Sequence, residues 1–193
     1  ENKLPGERAH KKMIPEVRRT FGMSKNKREA AVMILLFPKE GYINIALIQR
    51  TRYDGDHSGQ ISLPGGMKEL SDRDLLHTSV RETAEETGVP ARDIKIIGKL
   101  SPIYIPVSAF RVQPFVAYLE YAPRFKPDPV EVDYLILVPV LHFLDNHNRK
   151  TEKWNLSGRD IKVPFFSFQD YKIWGATAMI LSEFIDIIEA VEP

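Results

Sequence analysis

The feature that most constrains the fold is a short amphipathic helix that follows a pair of glycines. Residues 74–87 place apolar side chains at helical spacing, at positions 75, 76, 80 and 84. Asp72 or Asp74 can cap the N-terminus of this helix, and Gly88, followed by Pro90, ends it. The sequence therefore predicts a helix over residues 74–87 that packs on a core with one face.

Three carboxylates lie close together on this helix. Glu82, Glu85 and Glu86 stand at i, i+3 and i+4, so they share one face. Like charges at these spacings repel by roughly 0.2–0.5 kcal/mol per pair, and Arg81, four residues before Glu85, can offset one of them. Crowded carboxylate oxygens suit a hard cation such as Mg²⁺. Three acids alone fit a solvated acidic face equally well.

The residues before the helix favour a binding site. Pro64 is followed by Gly65 and Gly66. Glycine permits positive φ and a close approach of the backbone to a ligand, and a bare carbonyl at this place can face a metal.

Loop, helix and acids together resemble the Nudix hydrolase signature: Gly, five residues, Glu, seven residues, then R-E-U-x-E-E-x-G-U, with U aliphatic. Residues 81–89, RETAEETGV, fit the second part, with Thr83 at the first aliphatic place. In the first part Asp72 stands where Glu is expected, and eight residues rather than seven separate it from Arg81. Asp72 is therefore interpreted as an outer ligand or a helix cap, and we favour the cap.

The resemblance implies the Nudix fold, an α/β sandwich of the α/β/α type with a mixed sheet, and hydrolysis of a diphosphate linked to another moiety. It implies that Glu82, Glu85 and Glu86 hold Mg²⁺, or Mn²⁺, with the Gly66 carbonyl as a further ligand. Arg81 is expected to position these carboxylates through an ion pair.

The proton acceptor stays open at this point. One of the helix glutamates, or an acid from a later loop, would take the proton from the attacking water. Glu131 is the candidate for that later acid, since it comes before a strand and after a loop with three prolines. An exposed loop carboxylate without a role describes Glu131 equally well.

The residues before the glycines are similar to the segment that marks coenzyme A pyrophosphatases among Nudix enzymes. Arg50, Gly59 and the Pro-Gly-Gly sequence fit this segment, whereas Gly55 replaces an expected Arg. The branch implies coenzyme A or an acyl-CoA as substrate, cut to 3′,5′-ADP and (acyl-)4′-phosphopantetheine. Because of Gly55, ADP-ribose or another nucleoside diphosphate derivative is an alternative. A Nudix domain that senses a nucleotide without catalysis is a third hypothesis.

Several residues are candidates for substrate binding. Arg50 can pair with substrate phosphates through its guanidinium fork. Arg52 can replace the guanidinium missing at position 55 or lie on the surface, and His57 either contacts substrate or is solvated. Gly65 and Gly66 complete the set.

Composition excludes several other classes of protein. A chain of 193 residues with a net charge of +1 fits one domain, and it gives no reason to expect nucleic acid or membrane as a partner. There is no cysteine, so thiol and zinc-thiolate chemistry are excluded. We expect a basic segment at residues 1–29, a domain over 30–193, a small-molecule partner and a cytoplasmic location. Whether the chain forms a homodimer is open.

The remaining pattern predicts strands separated by two longer helices. Strands are expected at 30–37, 43–50, 94–100, 110–121 and 130–138, with Pro114 placing part of the fourth at an edge or bulge. A hairpin is expected from 150–154 and 161–168, short helical segments at 15–20 and 139–144, and a last helix over 173–191. The loop 103–110 and Trp174 either line a substrate pocket or belong to the core.

Overall fold

The computed structural model describes residues 4–16, 28–51, 60–106, 108–156 and 158–191. The α-helices are α1 (Glu7–His10), α2 (Leu75–Thr87), α3 (Val140–Leu144) and α4 (Gly175–Val191). The strands are β1 (Arg28–Lys39), β2 (Tyr42–Arg50), β3 (Ile61–Ser62), β4 (Gly65–Met67), β5 (Lys95–Lys99), β6 (Ile103–Ile105), β7 (Phe110–Tyr118), β8 (Val132–Pro139), β9 (Arg149–Leu156), β10 (Arg159–Phe168) and β11 (Tyr171–Trp174).

A mixed sheet of eight strands forms the centre of the fold. Its main order is β3-β2-β1-β7-β5, with β4 paired to β1, β6 to β7 and β8 to β2. Among the described strands only β1 and β7 are parallel, over nine residue pairs from Arg28 with Phe110 to Leu36 with Tyr118. Both strands are rich in apolar residues because both faces of the sheet are covered.

Two helices cover opposite faces of this sheet. Helix α2 packs with its Leu75, Leu76 and Val80 on a cluster that contains Ala31, Met33 and Leu35. Helix α4 covers the other face, where Ile34, Leu47 and Val116 lie. Alternate residues of β1 thus belong to alternate layers, as the period of a strand requires. The predicted α/β fold with a mixed sheet is confirmed.

Of the two expectations for Pro114, an edge or a bulge, the edge is wrong, and the register shift in the pairing of β7 with β5 lies beside Val116 and Ala117. Strand β7 is central, and Pro114 pairs with Val32 of β1. Leu100 donates its N–H to the Pro114 carbonyl at 3.0 Å. Proline has no N–H to return, and Gln113 Nε2 instead donates to the Leu100 carbonyl at 2.7 Å. A neighbouring side chain thus supplies the missing donor.

A second sheet, with the order β11-β10-β9, packs beside α4. The sequence predicts the β9–β10 hairpin but assigns residues 173 and 174 to the last helix, whereas they belong to β11. Gly175, the first residue of α4, has φ of +64° and turns the chain from that strand into the helix. The predicted helix at 15–20 falls largely outside the described residues. No described helix is long and apolar enough to cross a membrane.

Candidate active site

The predicted helix is present, with the expected ends. The Asp74 carboxylate accepts a hydrogen bond from the His77 N–H at 2.8 Å, so Asp74, and not Asp72, is the N-cap. At the other end, Gly88 adopts the left-handed conformation with φ of +71°, and its N–H donates to the Ala84 carbonyl. These local signals fix the direction in which the helix presents its carboxylates.

A Cβ at either of the two glycines would meet atoms of the protein itself. Gly65 has φ of +148°, and a Cβ there would collide with the Ala31 carbonyl of β1. A Cβ on Gly66 would collide with the Glu82 carboxylate. The glycine loop can therefore lie directly between β1 and α2, which holds the backbone against the acids of the helix.

Three carboxylates meet beside the glycine loop. Glu82 and Glu86 come from α2 and Glu131 from the segment that precedes β8, and one oxygen of each lies within 4.8 Å of the others. Glu86 is fully buried, Glu82 partly buried and Glu131 exposed. The structure therefore brings Glu131 to the helix carboxylates, 45 positions along the chain from Glu86.

Glu86 lies at the buried end of this cluster. Its Oε2 accepts a hydrogen bond from the Gly65 N–H at 2.7 Å. Its Oε1 is buried without a hydrogen bond, although Arg50 Nη2 lies 3.1 Å away in an ion pair. Burial raises the pKa of the Glu86 carboxyl to about 7, against the opposing effects of Arg50 and the Gly65 N–H. Burial likewise raises the pKa of Glu82.

Arg50 is directed toward protein groups in this structure. Besides its ion pair with Glu86, its Nη2 donates to the Gly65 carbonyl at 2.6 Å. Arg50 thus links the last residue of β2 to both the glycine loop and the helix. To contact substrate phosphates as well, this guanidinium would have to bind the substrate while it keeps its contacts with Glu86 and Gly65. The contact of Arg50 with substrate stays a prediction.

Glu131 is held in place through its backbone. Thr51, which follows β2, donates its N–H to the Glu131 carbonyl at 3.1 Å and its hydroxyl to the Val130 carbonyl at 3.0 Å. The pairing of β2 with β8 shifts register between Gln49 and Arg50, a bulge of the kind that redirects side chains near active sites. Thr51 was not predicted as a site residue, because nothing in its local sequence indicates this contact.

Asp72 has a different role from the predicted helix cap. Its carboxylate is buried and accepts from Arg81 Nε at 3.1 Å and Nη2 at 3.0 Å, and from the Thr78 hydroxyl at 3.0 Å. Arg81 holds the pKa of Asp72 far below its usual range. The same guanidinium lies 3.0 Å from Glu82 and 2.9 Å from Glu85. Arg81 is thus ion-paired with Glu82 and Glu85, and Asp72 fixes Arg81; that Arg81 positions the carboxylates for catalysis stays a prediction.

The other predicted residues divide into three groups. Glu85 is exposed and paired with Arg81, and the structure does not place it in the carboxylate cluster.

The pairing of β4 with β1 sets the direction of the two glycine carbonyls. Hydrogen bonds of this pair run from the Met33 N–H to the Pro64 carbonyl and from the Lys68 N–H to the Glu29 carbonyl. In an antiparallel pair, successive residues turn their carbonyls alternately toward and away from the partner strand. The Gly66 carbonyl therefore points toward β1 and the Gly65 carbonyl points away from it. The Gly65 carbonyl is thus better placed than that of Gly66 for the predicted role of backbone metal ligand. Arg52 and His57 lie outside the described residues.

The donor set fits a hard divalent cation. All three clustered groups are carboxylates, which such ions prefer. Glu86 Oε1 is a buried acceptor without a hydrogen bond, and such an atom is costly unless another partner binds it. Glu82, Glu86 and Glu131 could hold the ion, and the opening faces solvent through Glu131.

A glycine loop, a glutamate-bearing helix and a carboxylate cluster on a mixed sheet define an α/β protein with a candidate cation site between loop and helix. Residues 27–171 match the family model described as the NUDIX domain. The chain therefore belongs to the NUDIX family, and the resemblance to Nudix hydrolases is confirmed.

Similarity to individual proteins agrees with this assignment. The chain is 35% identical over 161 residues to "Nudix hydrolase 22, chloroplastic" of Arabidopsis thaliana, covering 80% of this chain and 53% of that protein. It is 31% identical over 154 residues to "Mitochondrial coenzyme A diphosphatase NUDT8" of Homo sapiens, covering 78% and 65%. It thus spans about half to two thirds of the length of these relatives. The crystal structure of RenU, a Nudix hydrolase from M. smegmatis, superposes with a TM-score of 0.61 at 15% identity, covering 90% of this chain and 96% of that one.

Proposed function

We propose that this protein hydrolyses a diphosphate bond in a nucleoside diphosphate derivative, with Mg²⁺ or Mn²⁺ as cofactor. The observation that carries the proposal is the meeting of Glu82, Glu86 and Glu131 beside the glycine loop. A bound divalent cation would offset the negative charge of the diphosphate and orient the attacking water. Residues of the chain would hold the ion and accept the proton from the water.

The three carboxylates differ in ways that suggest different tasks. Glu86 is buried and fixed by the Gly65 N–H and Arg50, so it is suited to holding the ion. Glu131 is exposed at the opening of the site, so its carboxylate can take a proton from the attacking water. The water oxygen would form a bond to one phosphorus while the bond from that phosphorus to the bridging oxygen breaks, and the leaving phosphate departs with the bridging oxygen.

Coenzyme A or an acyl-CoA is the proposed substrate. Two observations support it: the segment from Arg50 to Gly66 is similar to that of coenzyme A pyrophosphatases, and one relative at 31% identity is named a coenzyme A diphosphatase. The products would be 3′,5′-ADP and (acyl-)4′-phosphopantetheine. Gly55, where that branch has Arg, favours a second candidate, a hydrolase of ADP-ribose or a related nucleoside diphosphate derivative.

The test is a product assay by mass after incubation with Mg²⁺ and, separately, coenzyme A, ADP-ribose and a nucleoside triphosphate. We expect 4′-phosphopantetheine from coenzyme A, lost in Glu86→Gln and kept in the surface control Glu189→Gln. Glu85 is a metal ligand by the sequence prediction but lies outside the carboxylate cluster. We therefore expect Glu85→Gln to retain most of the activity.

Each alternative has its own result in this assay. Cleavage of ADP-ribose without cleavage of coenzyme A would establish the second candidate. No turnover of any substrate, with tight nucleotide binding retained, would establish the sensor. Equal activity in the wild type and Glu86→Gln would refute a catalytic role for the cluster.

A further inference from the structure

The segment that carries Glu131 crosses the end of helix α2 before it reaches the carboxylate cluster. It leads from β7 to β8 over residues 119–131. The Lys126 N–H donates to the Thr87 carbonyl at 2.9 Å, and Thr87 is the last residue of α2 and the neighbour of Glu86. The segment is therefore anchored beside the buried acid shortly before it presents the exposed one.

Asp128 fixes the backbone between this anchor and Glu131. Its Oδ1 accepts from the Val130 N–H at 2.9 Å, and its own carbonyl accepts from the N–H groups of Glu131 at 3.2 Å and Val132 at 2.9 Å. All three N–H groups that follow Pro129 thus donate to Asp128. An aspartate side chain that accepts from the backbone two residues ahead is a common way to hold a turn. The backbone of Glu131 is therefore fixed where its side chain begins.

Thr51 holds the same turn from the end of β2. Its N–H donates to the Glu131 carbonyl at 3.1 Å and its hydroxyl to the Val130 carbonyl at 3.0 Å. The residue before it, Arg50, lies 3.1 Å from the Glu86 carboxylate. Two consecutive residues thus contact one acid of the cluster through its side chain and a second acid through its backbone. The end of β2 therefore helps to set the separation between Glu86 and Glu131.

These backbone contacts matter because the Glu131 carboxylate is not held directly. Among the described residues, no hydrogen bond or ion pair reaches that carboxylate. One of its oxygens nevertheless lies within 4.8 Å of oxygens of Glu82 and Glu86. Ionised carboxylates at such distances repel one another until a cation binds. A segment without a fixed backbone would move away from the other acids, and the hydrogen bonds of Thr51 and Asp128 oppose this movement.

We propose that Thr51 and Asp128 are positioning residues that act through Glu131. The Thr51 hydroxyl and the Asp128 carboxylate fix the turn over residues 128–132, so that the Glu131 carboxylate lies at the cluster before a cation or a substrate arrives. Such a preformed arrangement favours ion binding and proton transfer, since the carboxylate needs no rearrangement. The inference rests on the proposed function for the catalytic role of Glu131, and it extends to the affinity of the cluster for a cation.

The test compares substitutions that remove each side-chain contact with conservative ones that keep it. Thr51→Val removes the hydroxyl and Asp128→Ala the carboxylate, whereas Thr51→Ser keeps the donor and Asp128→Asn keeps an acceptor oxygen. With Mg²⁺ and coenzyme A, or ADP-ribose if that is the compound cleaved, the first pair should lower kcat by about tenfold and leave KM unchanged. The conservative pair should keep the wild-type kcat. Thr151→Val and Asp170→Ala, at exposed positions of β9 and of the turn before β11, are the matched controls.

Binding of Mn²⁺ gives a readout that does not depend on activity. The Kd for Mn²⁺, measured without substrate from the EPR signal of the free ion, should rise by about tenfold in Thr51→Val and in Asp128→Ala. The conservative and control variants should bind Mn²⁺ as the wild type does.

A double-mutant cycle separates positioning from a general loss of packing. Because Thr51 acts through Glu131, adding Thr51→Val to Glu131→Gln should lower neither kcat nor Mn²⁺ affinity further. A further loss in the double variant would overturn the inference. Wild-type kcat and Kd in both Thr51→Val and Asp128→Ala would also overturn it, as would losses in Thr51→Ser and Asp128→Asn equal to those in the first pair. No turnover of any tested compound by the wild type, with the expected order of Mn²⁺ affinities, would refute the proposed function alone.

Discussion

Replacing Glu86 with Gln should stabilise the metal-free protein at high pH. The carboxyl is fully buried and its pKa is raised from 4.5 to about 7. A raised pKa means that the folded state binds the proton more tightly than the unfolded state. The stabilisation of the folded state by this tighter proton binding is complete below about pH 4.5 and is lost as the pH rises through about 7.

The magnitude follows from the shift. Each pKa unit corresponds to about 1.36 kcal/mol, so the rise of the Glu86 pKa from 4.5 to about 7 amounts to about 3 kcal/mol. Between pH 5 and 8 the free energy of unfolding of the wild type, relative to Glu86→Gln, should fall by about this amount. Groups far from Glu86 cancel in the difference between the two proteins, whereas Glu82 and Glu131, whose charges raise the pKa of Glu86, are coupled to it.

The assay is urea unfolding with EDTA at several pH values, with the free energy of unfolding extrapolated to water. Glu85→Gln is the matched control, since it removes one charge from an exposed position on the same helix. Saturating Mg²⁺ at pH 8 should raise the stability of the wild type, by about 2.7 kcal/mol at 100 times the Kd, and leave Glu86→Gln unchanged. A difference between wild type and variant that does not depend on pH would refute the reasoning.

Three further substitutions test the rest of the site. Asp72→Asn removes the buried partner of Arg81 and should cost about 3 kcal/mol of stability in urea unfolding; an unchanged midpoint would contradict this role. Gly66→Ala displaces the adjacent helix carboxylate and should lower kcat about 100-fold. Gly98→Ala, where a Cβ meets nothing within 4 Å, is its control, and equal activity of the two would be the contrary result. Glu131→Gln should lower kcat by about 10² or more, whereas a twofold change would exclude it as the base.

Helix α2 was predicted nearly to the residue because its signals are local. The cap at Asp74, the apolar spacing and the left-handed Gly88 all act within one or two turns. The same holds for β1 and β2, where a continuous apolar run and a turn suffice. Short-range order of this kind can be read from sequence, since each signal concerns neighbours in the chain.

The composition of the site required the tertiary structure. The sequence groups Glu82, Glu85 and Glu86 by helical spacing. In the folded protein Glu86 is buried, whereas Glu85 is exposed to solvent and forms an ion pair with Arg81. The sequence names Glu131 as a candidate without a distance, and the pairing of β2 with β8, together with the hydrogen bonds of Thr51 to residues 130 and 131, holds it beside the cluster. Exposure and long-range pairing decide these outcomes, and neither has a local pattern.

The sequence by itself determined the family, the loop–helix signature and the residue types that can hold a cation. The tertiary structure alone decided which acids meet, that Asp72 fixes Arg81, and that Arg50 links Glu86 to Gly65. The physical reason is that helix caps and periodicity arise from neighbours along the chain. A site is formed by side chains that strand pairing brings together across many residues.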